Sequence, residues 1–289
     1  MTGSESTFVD LHTHSTASDG SLTPQDVVRS AHELGLAAIA LTDHDSVDGL
    51  AAAVEAGRML GVRIVRGVEL SAVEGEAETH LLGLHLADTG RIEAQLRALR
   101  TMRLTRAERI VGRLNQLGVR VTLEDVLAES GDGAVGRPHI ARALVSNGWA
   151  TDLRDAFGRY LGNGRAAFVP KDRLAIGDAI MIIHEAGGLA VLAHPGQSGT
   201  RSRIESLVGL GLDGVEVRHP GHSAEDSARL SALVDHCGLV PSGGSDWHGL
   251  NEGGRALGAM RVPMAWLARQ DERVAQRLAG RDDDHIYVA

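Results

Sequence analysis

Residues 8–14, Phe-Val-Asp-Leu-His-Thr-His, followed by Ser18-Asp19-Gly20, open the pattern from which the fold of this chain can be predicted. The apolar run is typical of a buried strand, and it ends in two histidines that lead into a loop of small and polar residues. Residues two apart on a strand point to the same face, so His12 and His14 can hold one ion together. Buried histidines are often only hydrogen-bonded core residues, but this pair lies where barrel folds place their sites.

Short apolar runs alternate with helical patterns along most of the chain. Thr23 before Pro24 is a helix start signal, because threonine is a good N-cap and proline suits the first helical turn. The repeated β–α order predicts a largely parallel sheet, here closed into an α/β barrel. We predict strands at residues 8–12, 37–41, 63–70, 79–84, 189–194, 214–218 and 239–243, and helices at 24–34, 47–60, 176–186, 203–210 and 224–237.

One segment contains no convincing strand and reads as helices at residues 92–117, 123–129, 138–147 and 153–161. We therefore expect a barrel formed by residues 1–90 and 172–289, with residues 91–171 as a helical insertion that covers the active site. Arginines in the first of these helices recur mostly every three residues. This spacing is shorter than the helical period, so it distributes them around the helix instead of along one face. A solvated helix with local ion pairs is therefore favoured over a nucleic-acid surface.

The length and composition of the chain limit the classes of protein to which it can belong. The chain has 289 residues, a net charge of −9 and one cysteine, Cys237, which cannot form an internal disulfide. No stretch reaches the roughly 18 apolar residues of a membrane span, and residues 1–10 lack the features of an export signal. We expect a cytoplasmic protein with no membrane partner and no obligate protein partner. The acidic balance argues against non-specific nucleic-acid binding but leaves a small phosphorylated substrate open, since bound cations would set the local charge.

Further candidate ligands lie at the ends of later strands. His44 would lie at the same barrel level as the first histidines, and Asp43 is placed to orient a ligating histidine. Asp45 is best explained as the N-cap of the following helix. Glu69 lies inside an apolar strand, where a carboxylate is costly to bury unless it is paired, as it would be between two metals; the alternative is a surface position on an edge strand. The remaining candidates are His80, His194, Asp246 and His248.

Together with Gly136-Arg137-Pro138-His139 in the insertion, these clusters resemble the motifs of the PHP family, the polymerase and histidinol phosphatase superfamily. The likeness spans the chain from His12 to His248 and is greatest with the stand-alone metal-dependent phosphoesterases that act on nucleotide phosphates. It implies a distorted seven-stranded (β/α)7 barrel, in agreement with the strands predicted above. It also implies three ions, held by His12, His14, Glu69 and Asp246, by Glu69 as a bridge with His80 and His194, and by Asp19, His44 and His248.

The resemblance also bears on metal identity and chemistry. Some relatives have histidine where this chain has Asp19, and a carboxylate there favours a harder ion. We therefore expect three divalent ions, with Mn²⁺ favoured and Fe²⁺ or Zn²⁺ as alternatives. Metals neutralise phosphate oxygens and lower the pKa of bound water, so a hydroxide bridging two metals would attack in line while the third ion holds a phosphate oxygen.

Four residues are predicted to contact substrate. Arg137 and His139 lie at a predicted helix start, a location suited to anions, and the resemblance implies that their motif lines the substrate pocket; the alternative is an ordinary helix start. Lys171 lies where the chain re-enters the barrel and is expected to meet a second phosphate. His219 follows a barrel strand and is expected to bind phosphate or protonate the leaving oxygen. Of these four, Arg137, His139 and His219 are also our candidates for catalytic roles.

These features predict a metal-dependent phosphoesterase that hydrolyses a phosphate monoester of a nucleotide-like substrate. The resemblance points to a 3′,5′-bisphosphate nucleotide. A 5′→3′ exonuclease acting on short RNA would use the same site, although the acidic charge favours the small substrate. An amidohydrolase-type C–N hydrolase is less favoured, because those barrels usually bridge their metals through a modified lysine. A non-catalytic, metal-bound interaction domain is also less favoured, because all nine ligands are present.

Overall fold

Eight strands form the centre of the fold in the computed structural model, which describes residues 8–75, 77–131, 135–170, 174–249 and 255–284. They form one sheet in the order β7-β6-β5-β4-β3-β2-β1-β8. The seven predicted strands are all present, so the α/β barrel is confirmed, and a two-residue strand is added beside the first. The strands are β1 (Phe8–Thr13), β2 (Ala38–Leu41), β3 (Arg63–Glu74), β4 (Ala77–Leu84), β5 (Leu189–Leu192), β6 (Gly214–Arg218), β7 (Val240–Gly243) and β8 (Val262–Pro263).

Strand β4 runs against both of its neighbours. Its pairings with β3 and β5 are antiparallel, as is that of β8 with β1, whereas the other adjacent described strands pair in parallel. The prediction of a largely parallel sheet is therefore wrong around β4. The physical reason is the short connection between β3 and β4, because a tight turn can join only antiparallel strands. The first residues of β4 thus lie at the rim toward which its neighbours β3 and β5 run.

The barrel nearly closes where the chain beyond β7 meets β1. The Asp246 N–H donates to the His12 carbonyl at 2.9 Å, and the His14 N–H donates to the Trp247 carbonyl at 2.9 Å. Gly244 permits this approach, because a Cβ atom there would lie 2.4 Å from the Cβ of His12. The residues that follow β7 are therefore held directly beside those of β1.

Helices surround the sheet and bury apolar side chains against it. As predicted, Thr23 caps α1, with its side chain accepting a hydrogen bond from the Asp26 N–H. The last helix was not predicted; it contributes Leu267 to a cluster with Val9 and Leu82. The helices are α1 (Pro24–Glu33), α2 (Leu50–Leu60), α3 (Thr89–Gln116), α4 (Leu123–Ser130), α5 (Arg137–Ser146), α6 (Leu153–Ala156), α7 (Ile176–Glu185), α8 (Arg201–Gly209), α9 (Ala224–His236) and α10 (Met264–Asp284).

Helices α3 to α6, with a π-helical turn at Phe157–Leu161, lie in sequence between β4 and α7. They bury an apolar cluster of their own, which includes Leu114, Val126 and Leu144. The prediction of a solvated helix is wrong at Arg106 in α3, which is buried and donates to the Val169 carbonyl at 2.8 Å. Within the described parts of the chain, no helix is both long and apolar enough to cross a membrane.

Candidate metal centre

The predicted ligands come together at one rim of the barrel. His12 lies in β1, His44 follows β2, and Glu69 lies within β3, which continues past the rim into the hairpin. His80 lies near the start of β4 and reaches this rim because β4 is reversed. Among the described residues, three overlapping groups of side chains could each hold an ion, with ligand atoms all within 4.8 Å of one another inside each group.

The first group consists of His12, His14, Glu69 and Asp246. The two histidine Nε2 atoms lie 3.1 Å apart. Asp246 Oδ1 lies 3.4 Å from Nε2 of His12 and 3.2 Å from Nε2 of His14, and Glu69 Oε2 lies 3.4 Å and 3.3 Å from the same atoms. All four residues are buried, so four donor atoms converge on one point shielded from solvent.

The second group consists of Asp19, His44 and His248, with His14 beside them. Asp19 Oδ1 lies 3.2 Å from His248 Nε2, and Asp19 Oδ2 lies 3.9 Å from His44 Nε2. The Nδ1–H of His248 donates to the Asp246 carbonyl at 2.9 Å, which leaves Nε2 free to bind an ion. The backbone of one candidate ligand thus orients the ring of another.

The third group forms around Glu69, whose two oxygens face different neighbours. Its Oε1 lies 2.8 Å from His80 Nδ1 and 3.0 Å from His194 Nε2, and its Oε2 lies 3.1 Å from His44 Nδ1. Since Oε2 also faces the first group, Glu69 is common to the first and third groups, the latter formed with His44 and His80. The alternative of a surface-facing Glu69 is wrong, because this residue is 1% exposed.

The donor set fits bound metal ions. Glu69 Oε2 and the Nδ1 atoms of His14 and His44 are buried and have no hydrogen-bond partner within the described part of the chain. Buried polar atoms are rarely left unsatisfied, and a cation in contact with them would remove this cost. Mixed imidazole and carboxylate donors, without thiolates, suit first-row divalent ions better than Mg²⁺ or Ca²⁺, which prefer oxygen ligands.

The charge states of the candidate ligands in the metal-free site also fit a site for metal ions. Burial opposes protonation of His14, but Asp246 and Glu69 outweigh it and raise its pKa to about 10. Burial likewise opposes ionisation of Glu69, but the surrounding histidines, led by His44 and His80, hold its pKa well below the usual value. Protonated His14 therefore balances part of this negative charge in the metal-free protein, and a divalent ion would replace its proton.

Asp43 and Asp45, which follow β2, accept hydrogen bonds from neighbouring segments. Neither has the role that the sequence suggested. Asp43 accepts hydrogen bonds from the Ser15 N–H at 2.7 Å and from the Ser18 hydroxyl at 2.6 Å, so it shapes the loop that carries Asp19. The prediction that Asp43 orients a ligating histidine is wrong. Asp45 is not the helix cap either, because Gly49 occupies that position; Asp45 instead accepts from the Ser71 N–H at 3.0 Å.

Sequence reasoning missed the supporting role of Glu216 in β6. This carboxylate is fully buried, with Oε1 3.1 Å from His12 Nδ1 and Oε2 accepting the His194 N–H at 2.7 Å. Burial opposes its ionisation, but the adjacent histidines, led by His12, lower its pKa. The available signal was the same as for Glu69, an acidic residue between apolar residues of a predicted strand.

Backbone strain occurs at two candidate ligands. His194 has a φ of +31° and Asp246 a φ of +50°, in the left-handed region that residues with a Cβ atom rarely occupy. Such conformations cost free energy and persist where surrounding contacts enforce them, commonly at functional sites. Both residues lie just beyond the carboxyl ends of strands, His194 after β5 and Asp246 after β7.

A cavity of about 170 Å³ lies between the metal centre and the helical segment. Asp19, His44 and His80 line it from the barrel, and Arg137 and Phe157 line it from the helices. The Arg137 guanidinium lies 6.0 Å from the centre of the Phe157 ring and 3.6 Å from Glu78 Oε2. Arg137 and three of the candidate ligands therefore line the same cavity.

The other predicted substrate residues occupy different environments. His139 is 1% exposed, and its Nδ1 accepts the Gly136 N–H at 2.9 Å. Burial, with Arg142 adding to it, lowers the pKa of His139 to about 4, so its imidazole is neutral near pH 7. His219 Nε2 lies 3.3 Å from Asp246 Oδ2, in an open cavity above the candidate ligands. Lys171 lies outside the described residues.

Two arginines near the centre were not singled out from the sequence. Arg103 binds Asp45 and donates to the Ser71 hydroxyl at 2.8 Å, which joins α3 to β3. Arg255 binds the Oδ2 atom of Asp246 and lines the open cavity. Neither arginine lies in a sequence motif that distinguishes it from the other arginines of the chain.

Comparisons with known proteins agree with this geometry. Residues 10–117 match the family model of the PHP domain. The sequence is similar to the 3′,5′-nucleoside bisphosphate phosphatase of Chromobacterium violaceum, with 36% identity covering 86% of this chain and 90% of that protein. It is 37% identical to the 5′-3′ exoribonuclease Rnm of Escherichia coli, over 83% of this chain and 84% of that protein.

A solved structure is similar as well. A Bifidobacterium adolescentis protein assigned as a metal-dependent phosphoesterase superposes with a TM-score of 0.84 and 32% identity, covering 91% of this chain and 94% of that one. The likeness therefore extends over both the barrel strands and the helices between β4 and α7.

Proposed function

Since this chain belongs to the PHP family and is a metal-dependent phosphoesterase, we propose that it removes a phosphate from a nucleotide, with a 3′,5′-bisphosphate nucleotide as substrate. The observation that carries this proposal is the cavity between the metal centre and Arg137. A substrate with two phosphates would place one at the metal centre and the other at the guanidinium across the cavity. The similarity to a nucleoside bisphosphate phosphatase supports the same substrate class.

The proposed cofactor is a set of three divalent ions, with Mn²⁺ favoured. His12, His14, Glu69 and Asp246 would hold the first ion. Glu69 would be shared with a second ion bound by His80 and His194, and the third would bind Asp19, His44 and His248. When bound, such ions neutralise phosphate oxygens and lower the pKa of water. Two of these sets are supported by groups of converging donor atoms, and the second is supported by His80 and His194, which both lie beside Glu69 Oε1.

His219 is proposed to give a proton to the leaving oxygen. Its Nδ1 accepts the Gly221 N–H at 3.0 Å, so the ring proton of the neutral form lies on Nε2. That nitrogen points to Asp246 and into the open cavity above the ligands. A proton carried at Nε2 is therefore directed toward the space in which a substrate oxygen would lie.

Residues 91–171 are proposed to act as a helical insertion that covers the active site and binds the part of the substrate away from the metals. Arg137 is suited to a phosphate, because a guanidinium can donate two parallel hydrogen bonds. Phe157 adds an aromatic face to the same cavity, against which a base could stack. We assign substrate contact to Arg137, with Lys171 as a further candidate. His139 is neutral and buried at the start of its own helix. We therefore propose that it acts indirectly, by supporting the residues that line the cavity.

Hydrolysis of short RNA from its 5′ end is the second candidate, favoured by the similarity to an exoribonuclease. The arginines of α3 argue for the smaller substrate. Arg103 is bound to Asp45 and Ser71, and Arg106 to the Val169 carbonyl, so both bind the protein itself. The helix therefore offers less free positive charge to an RNA strand than its sequence suggests.

The proposal is tested by comparing substrates with the Mn²⁺-loaded protein. We expect a higher kcat/KM for a 3′,5′-bisphosphate nucleotide than for a nucleoside monophosphate or a 5′-phosphorylated oligonucleotide. Phosphate release and chromatographic separation of nucleotides report the two activities. A higher kcat/KM for the oligonucleotide would overturn the bisphosphate proposal in favour of the exonuclease. Elemental analysis on the same samples should approach three ions per chain, and a stable value of one with full activity would overturn the three-ion assignment.

A further inference from the structure

The Glu216 carboxylate connects candidate ligands that come from two different strands. It is 0% exposed and lies at the middle of β6, between apolar residues. Oε1 lies 3.1 Å from Nδ1 of His12, and Oε2 accepts the backbone N–H of His194 at 2.7 Å. Each oxygen therefore serves a separate neighbour.

The contact with His12 determines which nitrogen can bind an ion. A carboxylate accepts hydrogen bonds only, so Nδ1 of His12 must carry a proton to pair with Oε1. In the neutral ring this leaves the lone pair on Nε2, which lies 3.4 Å from Glu69 Oε2 and 3.4 Å from Asp246 Oδ1. The other tautomer would turn an N–H toward the ion and prevent binding.

The contact with His194 acts on the backbone. His194 has a φ of +31°, which is unfavourable for a residue with a Cβ atom. A charged acceptor on its N–H stabilises this conformation, because hydrogen bonds to ionised groups are stronger than neutral ones. The strained turn places His194 Nε2 3.0 Å from Glu69 Oε1, the oxygen that also faces His80.

We propose that Glu216 is a positioning residue that sets the ligand geometry of two ions at once. It selects the tautomer of His12 for one ion and holds the backbone of His194 for the other. This role rests on the proposed metal assignment and adds a residue to which no metal contact is assigned. A role in stability alone would leave the affinity for metal unchanged.

Two variants separate the two contacts. In Glu216→Gln, the side-chain oxygen can still accept the His194 N–H, but the amide N–H₂ group faces His12 Nδ1 and favours the wrong tautomer. In Glu216→Ala, both contacts are lost. We expect Glu216→Gln to weaken the binding of one Mn²⁺ ion about 10–100-fold, as is typical when a partner of a ligating histidine is removed. Glu216→Ala should weaken the binding of two ions. Glu225→Gln, on the exposed surface of α9, is the matched control.

The measurement is equilibrium dialysis with Mn²⁺ alone, over a range of concentrations, alongside thermal unfolding of the metal-free proteins. The number of weakened sites in each variant is the readout, and it does not depend on activity. Glu216→Gln binding all ions with wild-type affinity would overturn the proposal. An equal loss of Mn²⁺ affinity at every site in both variants would also overturn it, since that would indicate general disruption of the centre. If the wild-type protein itself bound no Mn²⁺, the proposed function would fail instead, which distinguishes the two.

Discussion

Replacing Glu69 with glutamine is the most direct test of the candidate centre. Within the described residues, the Glu69 carboxylate lies within 3.4 Å of nitrogens of five histidines, His12, His14, His44, His80 and His194. Glutamine has nearly the same shape, so Glu69→Gln changes the charge with little change in packing. The substitution therefore asks whether the negative charge itself holds the centre together.

The expected magnitude follows from the number of interactions that Glu69 makes. If Glu69 bridges two ions, the substitution removes two charged interactions, each contributing about 1.5–3 kcal/mol by analogy with hydrogen bonds to charged groups. The sum is about 3–6 kcal/mol, and with about 1.4 kcal/mol per factor of ten the activity falls about 10²–10⁴-fold. The fold should persist, because the side chain still fills the same buried space.

The assay is kcat/KM for phosphate release together with metal content and thermal unfolding. Glu55→Gln is the matched control, because Glu55 lies on the exposed surface of α2 with 58% of its side chain accessible. We expect the control to retain full activity. Turnover of Glu69→Gln within about tenfold of the wild-type value, with unchanged metal content, would refute the bridging assignment.

Three further predictions concern the same site. Asp19→Ala, His44→Ala and His248→Ala should each reduce Mn²⁺ stoichiometry by about one, and their effects on kcat/KM should be non-additive when combined, because they act as one unit; additive losses would separate their roles. Arg137→Lys should lower kcat/KM on a bisphosphate nucleotide much more than on p-nitrophenyl phosphate, since a lysine cannot copy the paired hydrogen bonds of a guanidinium; equal, small effects on both would contradict the proposed contact. Because the pKa of metal-free His14 is raised to about 10, its proton is bound near pH 7 and must leave when metal binds. Mn²⁺ calorimetry in buffers of different ionisation enthalpy should therefore show proton release, and affinity should fall as pH is lowered; a titration without proton release would contradict the assigned charge state.

The local pattern of the sequence was enough to predict most elements of the fold. Apolar runs of strand length, helical periodicity and the start signal at Thr23 are properties of neighbouring residues. The candidate ligands were predictable for a similar reason. Most lie within or just beyond a predicted strand, and Asp19 lies in the loop that follows the first one; strand ends on one rim of a barrel meet regardless of their separation along the chain.

The partners of these ligands were not predictable, because they depend on contacts between residues far apart in sequence. Glu216 meets His12 across 204 positions, and the Ser245 N–H donates to Asp10 across 235. A single acidic residue in a strand shows that a partner is needed but does not identify it. Asp43 and Asp45 illustrate the same limit, since their local sequence suggested a histidine partner and a helix cap.

The direction of β4 shows most clearly what the sequence determined and what the tertiary structure decided. The sequence determined that residues 79–84 form a strand and that His80 is a candidate ligand, because these follow from composition and local pattern. It did not determine the strand's direction, since an alternation of side chains with a period of two is the same read forwards or backwards. Only the pairing of β4 with β3 and β5 decided that the strand is reversed, and this reversal places His80 beside Glu69.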